Sequence, residues 1–130
     1  MRMGRIVATV TVQNGVDASK TLRCEALVDT GASLLVLPSA WRNRLGDFEA
    51  STEIPVETAT QDTVVAEVCG PVRIQIEGFR SIFNEVAFVD MNPADGKYEP
   101  LIGYIVLEQS QAGVDMLQHR LVPIKHLDLK

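Results

Sequence analysis

The residues best suited to chemistry are the acid, hydroxyl and glycine of Asp29-Thr30-Gly31, which stand between two apolar runs. Ala26-Leu27-Val28 precedes them, and Leu34-Leu35-Val36-Leu37 follows after two small residues. A carboxylate at the end of a buried strand is costly unless it is hydrogen-bonded or partly solvated. The Gly31 amide can hydrogen-bond the carboxylate, and a glycine lets another backbone come close. The segment therefore indicates an acid held at the edge of an apolar core.

The same three residues are also common in ordinary β-turns, in which Asp takes the first position. From average residue usage, an Asp-Ser/Thr-Gly tripeptide occurs by chance in roughly several per cent of chains of this length. The tripeptide alone is therefore weak evidence. The apolar residues on both sides favour a functional loop, because a turn in solvent is not enclosed in this way.

The elements that must position this loop are predominantly β-strands. β-Branched or alternating runs predict strands at Ile6–Val12, Leu22–Val28, Leu34–Leu37, Ile54–Ala59, Thr63–Val68, Val72–Glu77, Ile82–Asp90 and Arg120–Ile124. Gln13-Asn14-Gly15 predicts a hairpin turn, and Gly70-Pro71 predicts a break between strands. Short helices are predicted at Ser39–Leu45 and Tyr104–Glu108. The fold class is therefore all-β, a sandwich or partly closed barrel, with residues 1–130 forming one domain.

Ala26–Pro38 resembles the active-site segment of the retropepsin-like aspartic proteases, the group of the retroviral proteases and their cellular and prokaryotic relatives. In that group an Asp-Thr-Gly-Ala loop follows one hydrophobic strand and precedes another. Leu101-Ile102-Gly103 is similar to the second hallmark of the group, an apolar-apolar-Gly element before a short helix. Val56–Val68, between the two motifs, resembles the flap hairpin. The resemblance covers Ile6–Glu108 and implies a retropepsin-like closed or partly open barrel that forms a two-fold homodimer.

The resemblance also implies roles for individual residues. The expected catalytic residue is Asp29. The residues expected to shape its loop and support the dimer are Thr30, Gly31 and Ala32. The expected flap tip is Thr60, Gln61 and Asp62, which lacks the glycines of retroviral flaps. The apolar residues expected to contact substrate side chains include Leu34, Val64, Val65 and Ile102.

Peptide-bond hydrolysis by carboxylates requires two of them, one ionised to accept a proton from water and one protonated to polarise the carbonyl. None of the other aspartates is followed by Thr-Gly or Ser-Gly; they are Asp17, Asp47, Asp62, Asp90, Asp95, Asp115 and Asp128. Because each chain supplies one such motif, the simplest two-carboxylate site is a two-fold homodimer that places Asp29 against its symmetry mate. We therefore expect an aspartic endopeptidase that is active as a homodimer on a peptide or protein substrate.

Two other functions compete with this prediction. The first is a non-catalytic dimer of the same fold that binds peptides or partner strands by β-augmentation and keeps Asp29 for structural hydrogen bonds. The second is an enzyme that uses Asp29 as a phosphate-accepting nucleophile. The second requires alternating strands and helices of an α/β fold, which the pattern lacks.

The composition excludes several classes of partner. The 130-residue chain is 46% hydrophobic with a net charge of −5, and it has no basic cluster that would bind nucleic acid or anionic lipid. It has no apolar run of about 18 residues that would span a membrane, and no secretory signal, so a cytoplasmic location is expected. Cys24 and Cys69 are expected to be buried free thiols. No metal or other cofactor is expected, and His119 and His126 are expected to be solvated.

Overall fold

The structure is a computed structural model that describes residues 5–57 and 61–125. Within these residues it contains nine strands, one 3₁₀ helix at Ser39–Leu45 and one α-helix, α1, at Tyr104–Ser110. The strands are β1 Val7–Asn14, β2 Asp17–Val28, β3 Leu35–Pro38, β4 Ala50–Glu57, β5 Thr63–Ile76, β6 Ser81–Val89, β7 Leu101–Ile102, β8 Ala112–Asp115 and β9 Arg120–Pro123. Neither described helix has the length and apolar character that crossing a membrane requires.

The mostly β architecture confirms the fold class, but some strands differ from their predictions: β4 begins at Ala50 rather than at Ile54, and β7 was not predicted as a strand. β2 begins at Asp17 rather than at Leu22, because the polar residues before Leu22 pair through their backbones with β1 while their side chains are exposed. β8 was not predicted, and it forms a small separate sheet with β9. The predicted short helix at Ser39–Leu45 is confirmed as a 3₁₀ helix that ends at Gly46, whose φ is +70°.

Six strands close into a ring in the order β1-β2-β7-β3-β6-β5, and β5 pairs in turn with β1. The ring can close because two different strands, β4 and then β1, pair with successive parts of β5. Residues 63–70 of β5 pair with β4, whereas Val72–Ile76 pair with β1. The predicted break at Gly70-Pro71 is therefore wrong: β5 continues through a register shift at that point, where Pro71 lacks a backbone donor.

The interior of the ring is filled by the inward side of each strand. Along β5, Val72, Ile74 and Ile76 are fully buried, while Arg73 and Gln75 between them are exposed, so the predicted alternation is confirmed. Burying such an aliphatic side chain stabilises the fold by about 1.5–3 kcal/mol. Both cysteines are free thiols; Cys69 is buried, and Cys24 is half-buried, so that burial raises the pKa of Cys24 to about 11.

One buried polar side chain, Asn14, ties the β1–β2 hairpin to the end of the 3₁₀ helix. Asn14 is 2% exposed, and its Nδ2 donates to the carbonyl oxygens of Leu45 at 2.8 Å and Asp47 at 2.6 Å. Its Oδ1 accepts from the amide of Val16 at 2.9 Å. The bond to Leu45 is buried and the other two are partly buried, so removing the amide leaves backbone groups without a partner.

We expect Asn14→Ala to lower the free energy of unfolding by about 2–4 kcal/mol, since buried backbone groups lose their hydrogen bonds. Urea denaturation measures the change. Gln13→Ala, at the neighbouring and more accessible position, should change the stability by less than about 0.5 kcal/mol. Equal effects of the two substitutions would show that Asn14 is not the tie between the hairpin and the helix.

Candidate active site

The candidate site is built around β7, which is inserted between β2 and β3. Leu101 and Ile102 pair in parallel with Leu27 and Val28 of β2, and antiparallel with β3 on the other side. Residues 29–34 connect β2 to β3 and must therefore pass over the end of β7. The two motifs singled out in the sequence, which are far apart along the chain, are thus brought together by strand pairing.

Main-chain hydrogen bonds hold the aspartate loop against this second element. The amide of Asp29 donates to the carbonyl of Ile102 at 3.0 Å, and the amide of Gly103 donates to the carbonyl of Leu34 at 3.0 Å. The first turn of α1 adds a bond from the Tyr104 amide to the Ala32 carbonyl, at 2.9 Å. Amides at the start of a helix have no partner within the helix, so the loop satisfies them.

The Asp29 carboxylate is oriented by its own loop. Its Oδ1 accepts from the Gly31 amide at 2.9 Å, and its carbonyl oxygen accepts from the Ala32 amide at 3.1 Å. Asp29 is half-buried, while Thr30 and Gly31 are exposed. The Thr30 hydroxyl has no hydrogen-bond partner within the described residues. An acid in this position is held by main chain and remains open to water, so it can accept or donate a proton.

A row of apolar side chains leads across the outer face of the sheet to this loop. The members, each paired with the next across adjacent strands, are Val68, Ala87, Val36, Leu101 and Leu27. We call this set the apolar row. The neighbouring inward row, Cys69, Val86, Leu35 and Ile102, is fully buried in the core. Leu27, which lies two residues before Asp29, ends the apolar row at the candidate site.

The flap hairpin, defined as β4 with residues 63–69 of β5, extends the apolar row away from the barrel. Ile54 and Val56 pair with Ala66 and Val64, on the same face of the hairpin as Val68. Ala66, Val68 and Ala87 are buried against partly exposed apolar residues of β3 and its flanks. Of the expected flap tip, Gln61 and Asp62 are exposed, and Thr60 lies outside the described residues.

Two of the four expected substrate contacts are corrected by this geometry. Ile102 is fully buried on the core side of β7, so Leu101 is the residue of that element that faces outward. Val65 is 59% exposed on the face of the flap hairpin opposite to Val64. The corrections follow from strand alternation: neighbouring residues point to opposite faces, and the sequence alone left open which face was inward.

A cavity of about 490 Å³ lies beside β2 and was not anticipated from the sequence. Leu27 contributes to its lining, together with Tyr98 and an ion pair between Arg5 and Glu99. The hydrogen bond from Arg5 to Glu99 raises the pKa of the Arg5 guanidinium. Arg5 precedes β1 and Glu99 precedes β7, so only the pairing of these strands with β2 brings them together.

No group of three or more His, Cys, Asp or Glu side chains in residues 5–57 and 61–125 is arranged to hold a metal ion. His119 is exposed in the β8–β9 turn, as expected, whereas His126 lies outside the described residues.

Comparison with known proteins agrees with this geometry. The family model described as Aspartyl protease matches residues 8–106. The chain belongs to the aspartyl protease family. The match spans the aspartate loop, the flap hairpin and the Leu101–Gly103 element. No curated protein matches the sequence.

Among solved structures, the EIAV protease in complex with the inhibitor HBY-793 has a TM-score of 0.59 at 23% identity, covering 81% of this chain and 86% of that chain. The aspartyl protease described here therefore has a retropepsin-like fold. A Legionella pneumophila protein of unknown function has a TM-score of 0.46 at 16% identity, with 92% and 93% coverage. A retropepsin-like aspartic protease from Rickettsia conorii has a TM-score of 0.42 at 18% identity, with 88% and 91% coverage.

Gly103 lies directly against the backbone of the aspartate loop. A Cβ at Gly103 would overlap the carbonyl group of Ser33 and the carbonyl oxygen of Leu34, all of which are backbone. We expect Gly103→Ala to cost about 3 kcal/mol of stability, because the loop cannot move away without losing its bonds to β7 and α1. Chemical denaturation measures the loss.

Gly78→Ala is the comparison for this substitution. Gly78 has a φ of +91° and open space around it, so an alanine there incurs backbone strain of about 1–2 kcal/mol but no collision. If Gly103→Ala is no more destabilising than Gly78→Ala, the contact between the loop and β7 is looser than the structure indicates.

Proposed function

We propose that this chain is an aspartic endopeptidase that hydrolyses peptide bonds as a homodimer, with one Asp29 from each subunit. The observation that carries the proposal is the Asp29 loop itself. It holds one half-buried carboxylate, oriented by the Gly31 amide, at a surface where Thr30 and Gly31 are exposed. Each chain supplies one such loop, so a second copy provides the second carboxylate that the chemistry needs.

The chemistry divides the work between two carboxyl groups that share a proton. The ionised group accepts a proton from water as the water attacks the peptide carbonyl, and the protonated group donates a hydrogen bond to the carbonyl oxygen. The proton then passes to the leaving amine as the C–N bond breaks. The Gly31 and Ala32 amides, which donate to Asp29, and the Ile102 carbonyl, which accepts from the Asp29 amide, hold Asp29 in position during these steps, so little reorganisation is needed.

The apolar row and the inner face of the flap hairpin support an extended peptide as substrate. A peptide in β conformation presents alternate side chains to one face, which fits a row of partly exposed aliphatic residues such as Val36, Leu101 and Leu27. The expectations of no nucleic-acid partner, no membrane association and a cytoplasmic location remain predictions from the sequence.

Asp29→Asn should reduce peptidase activity by about 10³-fold or more, since an amide cannot act as the ionised base and is nearly isosteric with the acid. The measurement is cleavage of a diverse peptide mixture across pH, with products identified by mass spectrometry. Asp47→Asn, in an exposed loop away from the strand ends, is the matched control and should retain wild-type activity.

Full activity in a purified and folded Asp29→Asn protein would exclude Asp29 as the catalytic residue. If wild type binds peptides at the apolar row but cleaves none across the pH range, the non-catalytic binding dimer is the correct function instead.

Dimer formation is tested at Thr30. The hydroxyl is exposed and unpartnered within the described residues, and we infer that it donates to the loop of the second subunit, as the resemblance implies. Thr30→Val keeps the shape and removes the donor. Because the change acts twice per dimer, it should weaken association by about 2–4 kcal/mol, or roughly 30- to 1,000-fold in Kd.

Thr30→Ser retains the hydroxyl and should dimerise nearly as tightly as wild type. Sedimentation and the concentration dependence of activity give the dissociation constants of the three proteins. Tight dimers of Thr30→Val would mean that the two aspartate loops do not meet at a shared axis.

A further inference from the structure

A hydrogen-bonded network joins the 3₁₀ helix to the outer face of the flap hairpin, and none of its members belongs to the aspartate site. The Nε of Arg42, in the 3₁₀ helix, donates to Oε1 of Glu67 on β5 at 2.8 Å. The hydroxyl of Ser51, on β4, donates to the other carboxylate oxygen of Glu67 at 2.7 Å. One carboxylate therefore connects both strands of the hairpin to the helix.

The network lies where the hairpin leaves the barrel. Glu67 pairs with Phe88 of β6, and it is the first residue of β5 to have a neighbour on that side. Among the described residues nearer the tip, β4 and β5 pair only with each other. The inner face of this ribbon packs against β3 and its flanks at Ala66 and Val68, and the bonds to Glu67 attach its root on the opposite face, so the two contacts together set the direction in which it points.

Arg42 is itself held in a defined position. Its guanidinium lies 5.2 Å from the centre of the Phe48 ring, and Phe48 packs against the buried Phe88 at 5.8 Å between ring centroids. The 3₁₀ helix begins directly after β3, the strand that carries Val36 of the apolar row. β3, the 3₁₀ helix and Arg42 therefore connect the aspartate loop to the root of the flap hairpin.

The charges at the root explain why a cation is needed there. Glu67 stands opposite Glu53 across the two strands, and like charges in that arrangement repel. Arg42 offsets the repulsion, and its hydrogen bond, with that of Ser51, lowers the pKa of the Glu67 carboxyl. Glu53 is exposed on the same face and is the natural comparison for Glu67.

We propose that Arg42 is a positioning residue that, through Glu67 and Ser51, anchors the root of the flap hairpin and sets how the hairpin closes over substrate at the apolar row. The closing role rests on the proposed peptidase function, whereas the anchoring does not. Loss of the anchor frees the root to rotate relative to β3. Substrate is then held less tightly, while the Asp29 loop, which shares no bond with the network, is unchanged.

Hydrogen exchange on the full chain tests the anchoring. Arg42→Gln and Glu67→Gln should each speed exchange of the flap-hairpin amides by about tenfold, the effect of losing one charge-assisted hydrogen bond, with no change in β1 or α1. The double variant should be no faster than either single variant, because both remove the same interaction. In Arg42→Lys, which keeps the charge and a hydrogen-bond donor, the exchange rates of the flap-hairpin amides should be closer to wild type than in Arg42→Gln. Glu53→Gln, which removes the repelling charge and no hydrogen bond of the network, should not speed exchange.

Peptide cleavage by the same proteins tests the closing role. The Arg42→Gln and Glu67→Gln proteins should show KM raised by roughly five- to tenfold with kcat within about twofold of wild type, as expected for a loss of substrate binding rather than of chemistry. A fall in kcat at unchanged KM would overturn the closing role.

Hydrogen exchange tests the anchoring, and peptide cleavage tests the peptidase function. If no peptide is cleaved by wild type, the peptidase proposal fails, and the exchange rates still decide the anchoring. If flap-hairpin exchange in folded Arg42→Gln equals that of wild type, the anchor is wrong whatever the activity.

Discussion

The insertion of β7 between β2 and β3 is the constraint on which the rest of the structure depends. It forces the connection between β2 and β3 to cross the end of β7, and it brings the Gly103 backbone so close to Ser33 that no side chain fits between them. Asp29 is therefore positioned by main-chain bonds from both directions. A carboxylate held in this way needs no specific side chain around it to stay in place.

The same strands serve stability and, under the proposed function, recognition, because their two faces differ. On the inner face, Leu35, Val86 and Ile102 fill the barrel; on the outer face, Val36 and Leu101 are partly exposed, and Ala87 is buried against the flap hairpin. β5 also has two structural roles along its length: its first part builds the flap hairpin, and its last part closes the barrel against β1. Neighbouring residues of a strand point to opposite faces, so a substitution acts either on the core or on the candidate site, depending on which face its side chain occupies.

The differences between the predictions and the structure have a common origin. Local patterns indicate which residues form strands, but not which edges meet. Gly70-Pro71 has the composition of a break, yet β5 continues through it because β1 takes over from β4 as its neighbour at that point. The segment Asp17–Thr21 lacks a strand pattern, yet Asp17 and Thr21 pair with β1 across a register shift, because β1 offers a partner for their backbones. Ile102 was expected at the substrate surface, and the alternation set by its pairing with Leu35 places it in the core.

The sequence by itself determined the all-β class, the position of most strands, and the candidate acid, because hydrophobic period and the Asp-Thr-Gly motif are local properties of the chain. It also determined that one chain carries one such motif. The contact between Asp29 and the Leu101–Gly103 element, the apolar row, the Arg5–Glu99 pair and the Arg42–Glu67–Ser51 network were decided only by the tertiary structure. Each joins residues on strands or segments distant in sequence, and such neighbours are selected by pairing and closure of the whole barrel, which no local pattern encodes.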